Sequence, residues 1–173
     1  MLFRSADAHR RTEDYLRDSG SAFVILRNGW YLENHTESLA PALQYGAILG
    51  AAKEGKFASA ARADYAAAAA IVLTSQGHEN KVYELAGDAS FTLSELAAEV
   101  SEVAKITVVY QDLPQEEYEK ALLRFGLPMP IAAMLADSDA GAAKGNLDSQ
   151  SGDLRFLIGR PTTPLLEAIR SAV

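Results

Sequence analysis

The stretch Ala22-Phe23-Val24-Ile25-Leu26, continued at once by Arg27-Asn28-Gly29-Trp30-Tyr31-Leu32-Glu33-Asn34, decides the fold class of this chain. Five consecutive apolar residues leave no polar face, which suits a strand of a parallel sheet covered on both sides. Arg27-Asn28-Gly29 is a turn signal that closes the strand. Residues 27–34 therefore lie at and beyond the carboxyl end of the strand, where open α/β sheets bind their ligands. They hold the chain's single Trp, a Tyr and two Asn. Aromatic faces stack on flat rings, and amides hydrogen-bond carbonyl oxygens. The plainer alternative is that Trp30 and Tyr31 pack while Asn28 and Asn34 shape the turn.

Working outward, residues 6–18 read as a helix closed by Ser19-Gly20. His9, Thr12 and Glu13 fall at i, i+3 and i+4 on one face of it, although Arg10, Arg11 and Asp14 favour a solvated polar face. Downstream, residues 38–45 suggest a short helix, 56–60 a short strand, 63–74 a helix and 82–86 a strand. Asp64 is expected to act as an acid at the helix start. Thr92-Leu93-Ser94-Glu95 is a capping box opening a helix to about Ala104. Residues 106–110 are β-branched and aromatic, hence a strand. Residues 116–125 form a helix ended by Gly126, and 131–136 start another. Thr163-Pro164 opens a last helix to Ala172, with Pro expected at its first position. Strands alternating with helices make an α/β class. Three or four strands are visible, too few to flank a buried parallel strand on both sides.

The chain has 173 residues, 49% hydrophobic and 23% charged, enough to bury a core. Its net charge of −7 argues against nucleic acid, whose binding needs clustered cations. With no Cys, disulfides, thiolate metal sites and thiol nucleophiles are excluded. The three His residues (His9, His35 and His78) have no metal-ligand spacing, so no metal site is expected. Gly46-Ala47-Ile48-Leu49-Gly50 and Gly141-Ala142-Ala143-Lys144-Gly145 read as turns and helix ends, not as phosphate loops. Gly-x-Ser-x-Gly is absent. The longest apolar run, residues 66–73, is too short to cross a bilayer, and no apolar leader opens the sequence. The expectation is a cytoplasmic protein with no membrane insertion.

The segments HRRTEDYLRDSG (9–20), FVILRNGWYLEN (23–34), GKFASAARADYAAAAA (55–70), KVYELAGD (81–88) and MLADSDAGAAKG (134–145) together resemble the NmrA-like branch of the atypical short-chain dehydrogenases, within it the bacterial NAD(P)H:quinone oxidoreductase 2 group. The resemblance runs from about His9 to the C-terminus. It implies the C-terminal portion of an NAD(P)-binding Rossmann-type domain over residues 1–173, with the sixth and later strands and a small α/β substrate-binding subdomain. The strand before Gly29 would be the sixth of the sheet. Asn34 would be the catalytic residue beside nicotinamide and quinone, with Trp30, Tyr31, His9 and Glu13 binding substrate. Asn28, Gly29 and Thr12 would face the cofactor, NADP(H) or NAD(H). His9, Thr12 and Glu13 match a helix that replaces the Tyr-x-x-x-Lys helix of ordinary short-chain dehydrogenases.

The family's opening strand and Thr-Gly-Ala-Thr-Gly-x-x-Gly loop have no counterpart here, so cofactor binding by this chain alone is not expected. The implied activity of the complete fold is hydride transfer from NAD(P)H to a small-molecule quinone. Two other readings remain: a redox sensor that binds dinucleotide and a regulatory partner without turnover, and an inactive fragment. A strand lacking a neighbour would also expose unpaired backbone, so self-association into a homo-oligomer is expected.

Overall fold

The computed structural model describes residues 2–173, with side chains from residue 8 onward. A long helix α1 (Leu2–Asp18) leads to strand β1 (Val24–Asn28), then helices α2 (Leu32–Thr36) and α3 (Leu39–Tyr45). Strand β2 (Ala47–Gly50), strand β3 (Lys56–Phe57), helix α4 (Arg62–Thr74) and strand β4 (Lys81–Leu85) come next. The second half contains β5 (Phe91–Thr92), α5 (Leu93–Ala104), β6 (Val109–Asp112), α6 (Gln115–Arg124), α7 (Met129–Ala142), α8 (Asp153–Ile158) and α9 (Leu165–Ala172). The class is α/β, as the alternation of periods implies.

The described strands form three two-stranded sheets instead of one. β1 pairs in parallel with β4, β2 in parallel with β6, and β3 antiparallel with β5. The second edge of β1 pairs with no strand among the described residues. β1 also starts two residues later than the apolar run suggests. Its register begins at Val24 opposite Lys81, because Asn80, at φ 61, turns the chain and donates its N–H to the Phe23 carbonyl at 2.6 Å. Arg27 and Asn28 therefore continue the ladder, and the turn begins at Gly29.

β2 corrects part of a second expectation: Gly46 is a helix end as expected, but residues 47–50 are a strand and not a turn. Gly46, at φ 72, ends α3 in the left-handed conformation and sends the chain straight into β2. A Cβ on Gly50 would lie 2.7 Å from Asp139 Oδ2 and 2.8 Å from Leu93 Cδ1, so that glycine serves close packing. β6 is displaced to Val109–Asp112 because Ser101 Oγ holds both the N–H and the carbonyl of Val108, ahead of the β2 pairing.

The capping box forms as written: Thr92 Oγ1 accepts from Glu95 N–H and Glu95 Oε2 accepts from Thr92 N–H. Pro164 sits one place earlier than expected, at the N-cap of α9. Two cores result. One gathers Leu32, Leu39, Phe57, Phe91, Leu96, Val100 and Ile169; the other gathers Tyr65, Ala68, Tyr83, Leu85, Leu154 and Leu157.

Candidate functional site

The segment after β1 is held by backbone on both sides. Gly29 N–H donates to the Leu85 carbonyl, Ala60 N–H to the Trp30 carbonyl, and Leu32 N–H to the Ala60 carbonyl. Tyr65 adds its hydroxyl to the Trp30 carbonyl at 3.2 Å. Gly at residue 29 permits this close approach, since a Cβ there would press on Leu85 O at 3.0 Å and Tyr65 Oη at 3.2 Å. In α2, Leu32 and His35 turn inward at helical spacing and are buried. Asn34, between them, turns elsewhere.

Asn34 lines an apolar cavity of about 400 Å³ together with Ala42, Ile48, Leu122, Phe125 and Leu135. A smaller inner lobe of about 60 Å³ carries Trp30, His35 and Asp139. Asn34, Ser38, Ile48, Leu49, Tyr118 and Leu135 line both lobes, which makes the space continuous. Its walls come from α2, α3, β2, α6 and α7. Asn34 Oδ1 accepts weakly from Arg62 at 3.5 Å, which leaves the amide N–H groups toward the cavity as donors. Arg62 also pairs with Glu37 at 2.5 Å and lies 5.5 Å over the Tyr31 ring.

Burial shifts the titratable groups of the inner lobe toward their neutral forms. Burial holds His35 down to about 4, with Nε2 against Ser59 Oγ and its ring edge-on to Phe57 and Phe91. Burial pushes Asp139 up to about 7, even though its Oδ2 accepts the Ala51 N–H at 2.8 Å. Burial also raises the Tyr118 phenol, so its hydroxyl keeps its proton.

The residues expected at the site divide into groups. Asn34 and Trp30 reach the cavity. Tyr31 does not: its ring packs edge-on to Tyr65 at 5.3 Å and beneath Arg62, which supports the segment from behind. Glu13 is also placed differently, buried and clamped by Arg27 through Nε and Nη2 at 2.8 and 2.6 Å, with Arg17 at 2.8 Å. The Arg27 pair holds its carboxyl at about 2, and Arg27 reaches on to Glu84. That network joins α1 to the β1–β4 sheet. His9 and Thr12 are exposed on α1, and the Thr12 hydroxyl donates to the Ala8 carbonyl. Asn28 and Gly29 are exposed at the carboxyl end of β1. Asp64 lies in the first turn of α4 but caps nothing. It is fully buried, accepting Thr163 N–H at 2.7 Å and pairing with Arg160 at 2.6 Å, which fastens the chain leading to α9.

Tyr118 and Asp139 join the cavity without having stood out in the sequence. A signal existed for Asp139: Ala132, Ala136 and Asp139 share the buried stripe of α7 at i, i+4 and i+7.

A dinucleotide fits this chain at one end only. Its pyrophosphate needs the N–H groups of a Gly-rich turn opening a helix, and no parallel strand among the described residues leads into one. Gly87, after β4, packs instead, since a Cβ there would lie 2.1 Å from Ser59 O. The carboxyl end of β1, at Asn28 and Gly29, is exposed. No group of three or more His, Cys, Asp or Glu among the described residues could hold a metal, and no described helix is long and apolar enough to cross a membrane.

No family model matches the chain. It is 53% identical over 164 residues to quinone oxidoreductase 2 of Escherichia coli, covering 95% of this chain and 57% of that one. The crystal structure of that enzyme complexed with NADPH superposes with a TM-score of 0.93 over 95% of this chain and 58% of the other. The Citrobacter triphenylmethane reductase complexed with NADP(H) is 37% identical, with a TM-score of 0.94 over 97% of this chain and 59% of that one. An NmrA-like family domain-containing oxidoreductase of Aspergillus flavus is 26% identical over 166 residues, 94% of this chain and 54% of its own. The chain thus spans between half and two thirds of the length of these relatives.

Proposed function

From the premise that this chain is homologous to quinone oxidoreductase 2 and the NmrA-like oxidoreductases, we propose that it forms the substrate-binding part of a cytoplasmic NAD(P)H-dependent quinone oxidoreductase. The observation that carries this reading is the placement of Asn34. It lies past the carboxyl end of β1, on the wall of an apolar cavity of about 400 Å³, beside a smaller lobe whose buried His35 imidazole is uncharged at neutral pH. A predominantly apolar space of this size takes a neutral flat acceptor such as a quinone. A sensor without turnover has no use for it.

When bound, the reduced nicotinamide supplies the hydride. Asn34 donates an amide N–H to the quinone oxygen on which negative charge develops. Trp30 offers ring surface in the inner lobe. Ile48, Leu49 and Leu135 exclude water, and a quinone oxygen released to solvent takes its proton there. Asn28, Gly29 and Thr12 are assigned to the cofactor, since all three are exposed, Asn28 ends β1 and Gly29 follows it. His9 is exposed on the same helix as Thr12.

The test is steady-state NADPH oxidation with and without 1,4-naphthoquinone, on this chain joined to the remainder of the E. coli relative's chain. Quinone-dependent oxidation is the expected result. NADPH binding with no quinone-dependent turnover would favour the sensor.

A further inference from the structure

We propose that Tyr118 is a second anchoring donor in this cavity, so that the chain selects flat acceptors with two opposed carbonyl oxygens, one taken by the Asn34 amide and the other by the Tyr118 hydroxyl. The inference rests on the quinone reading above and names the substrate feature that the site recognises.

Most polar side chains on the cavity wall are already engaged. Ser38 Oγ donates to the His35 carbonyl, His35 Nε2 meets Ser59, and Asp139 accepts from Ala51. Gln111 is exposed at the outer rim. Tyr118 differs from these. Its side chain projects from α6 onto both lobes, and its hydroxyl has no hydrogen-bond partner among the described residues. A half-buried phenol on the cavity wall that is not engaged by the protein keeps its O–H available, and a ligand oxygen can take it in place of water. Burial and the neighbouring Asp139 both raise the phenol's pKa, so the donor proton stays in place at neutral pH. Asn34, on α2, is the other polar side chain shared by both lobes with an N–H to give. The two donors come from different elements, α2 and α6, and line the same apolar space, so a flat ligand with two carbonyl oxygens can engage both.

The experiment compares 1,4-naphthoquinone with 1-tetralone, a bicyclic ketone with a single carbonyl, on the purified chain and its Tyr118→Phe variant. Saturable quenching of Trp30, the single tryptophan, reports the quinone, and competition against it reports the ketone. The chain has no Cys to trap the quinone covalently. Loss of one hydrogen bond should raise the quinone Kd about tenfold and leave the ketone within about twofold, with Tm unchanged. An unchanged quinone Kd, or equal weakening of both ligands, overturns the role of Tyr118 while leaving the quinone reading intact. A lowered Tm would mean that the hydroxyl is structural and would also overturn it. Absence of saturable quinone binding by the unaltered chain would also overturn this inference, while the quinone reading itself stands or falls on the joined-chain assay.

Discussion

In the proposed reaction Asn34 acts through one amide, and its truncation removes a donor without removing the apolar walls of the cavity. In the joined chain, Asn34→Ala should lower quinone turnover roughly 100-fold, the scale for losing one donor to developing charge, with little change in NADPH Kd. Near-normal turnover in stopped-flow assays would reduce Asn34 to a turn residue. Trp30→Ala should act on KM instead, because ring surface contributes equally to ground and transition states. Two buried groups beside them set an unusual acid response. His35, at about 4 when folded against an ordinary 6.5, withholds a proton that the unfolded chain takes up, so its contribution is full above pH 6.5 and is lost as pH falls to 4. Asp139, raised from 3.8 to about 7, has the opposite sign: it disfavours the fold above pH 7 and relaxes that penalty as pH falls. Between about pH 4 and 6.5 the folded state holds the Asp139 proton and the unfolded state the His35 proton, so the two offset. Asp139→Asn should therefore expose a loss of about 3 kcal/mol between about pH 6.5 and 4 in urea titrations. His35→Gln should instead gain stability over the same range.

Individual elements depend on a few local devices. α5 brings Leu93, Leu96, Ala97 and Val100 to the larger core, and its start is secured by the reciprocal Thr92–Glu95 pair. Thr92→Ala should cost about 1 kcal/mol, read as a lower urea midpoint at unchanged m-value. This device is fully legible in the sequence, because a capping box needs only four consecutive residues. β2 is not legible there. Three residues between two glycines look like a turn until β6, some sixty positions away, supplies hydrogen-bond partners. The registers of β1 and β6 are likewise shifted by contacts from Asn80 and Ser101 that no local pattern announces.

At the scale of the whole molecule, β1 has one parallel neighbour, β4, and among the described residues a second edge with no strand upon it. An open edge beside the half-buried Val24 and Leu26 invites pairing. The chain alone should run larger than a monomer in light scattering, and fluorescence titration should find NADPH binding weak, since no Gly-rich turn among the described residues receives the pyrophosphate. A monodisperse monomer with a micromolar Kd would overturn both expectations. The sequence by itself determined the α/β class, the helix ends written by Gly126 and by the Thr92 box, the kinship, and Asn34 as a candidate. Each of these resides in adjacent residues or in motifs ordered along the chain. Only the tertiary structure decided that Tyr31 and Glu13 are engaged elsewhere, that Asp64 fastens a distant loop, and that Tyr118 and Asp139 face Asn34's cavity. Those outcomes depend on which side chains meet across long separations, and on burial, which shifts a carboxyl and an imidazole in opposite directions only once the core has closed around them.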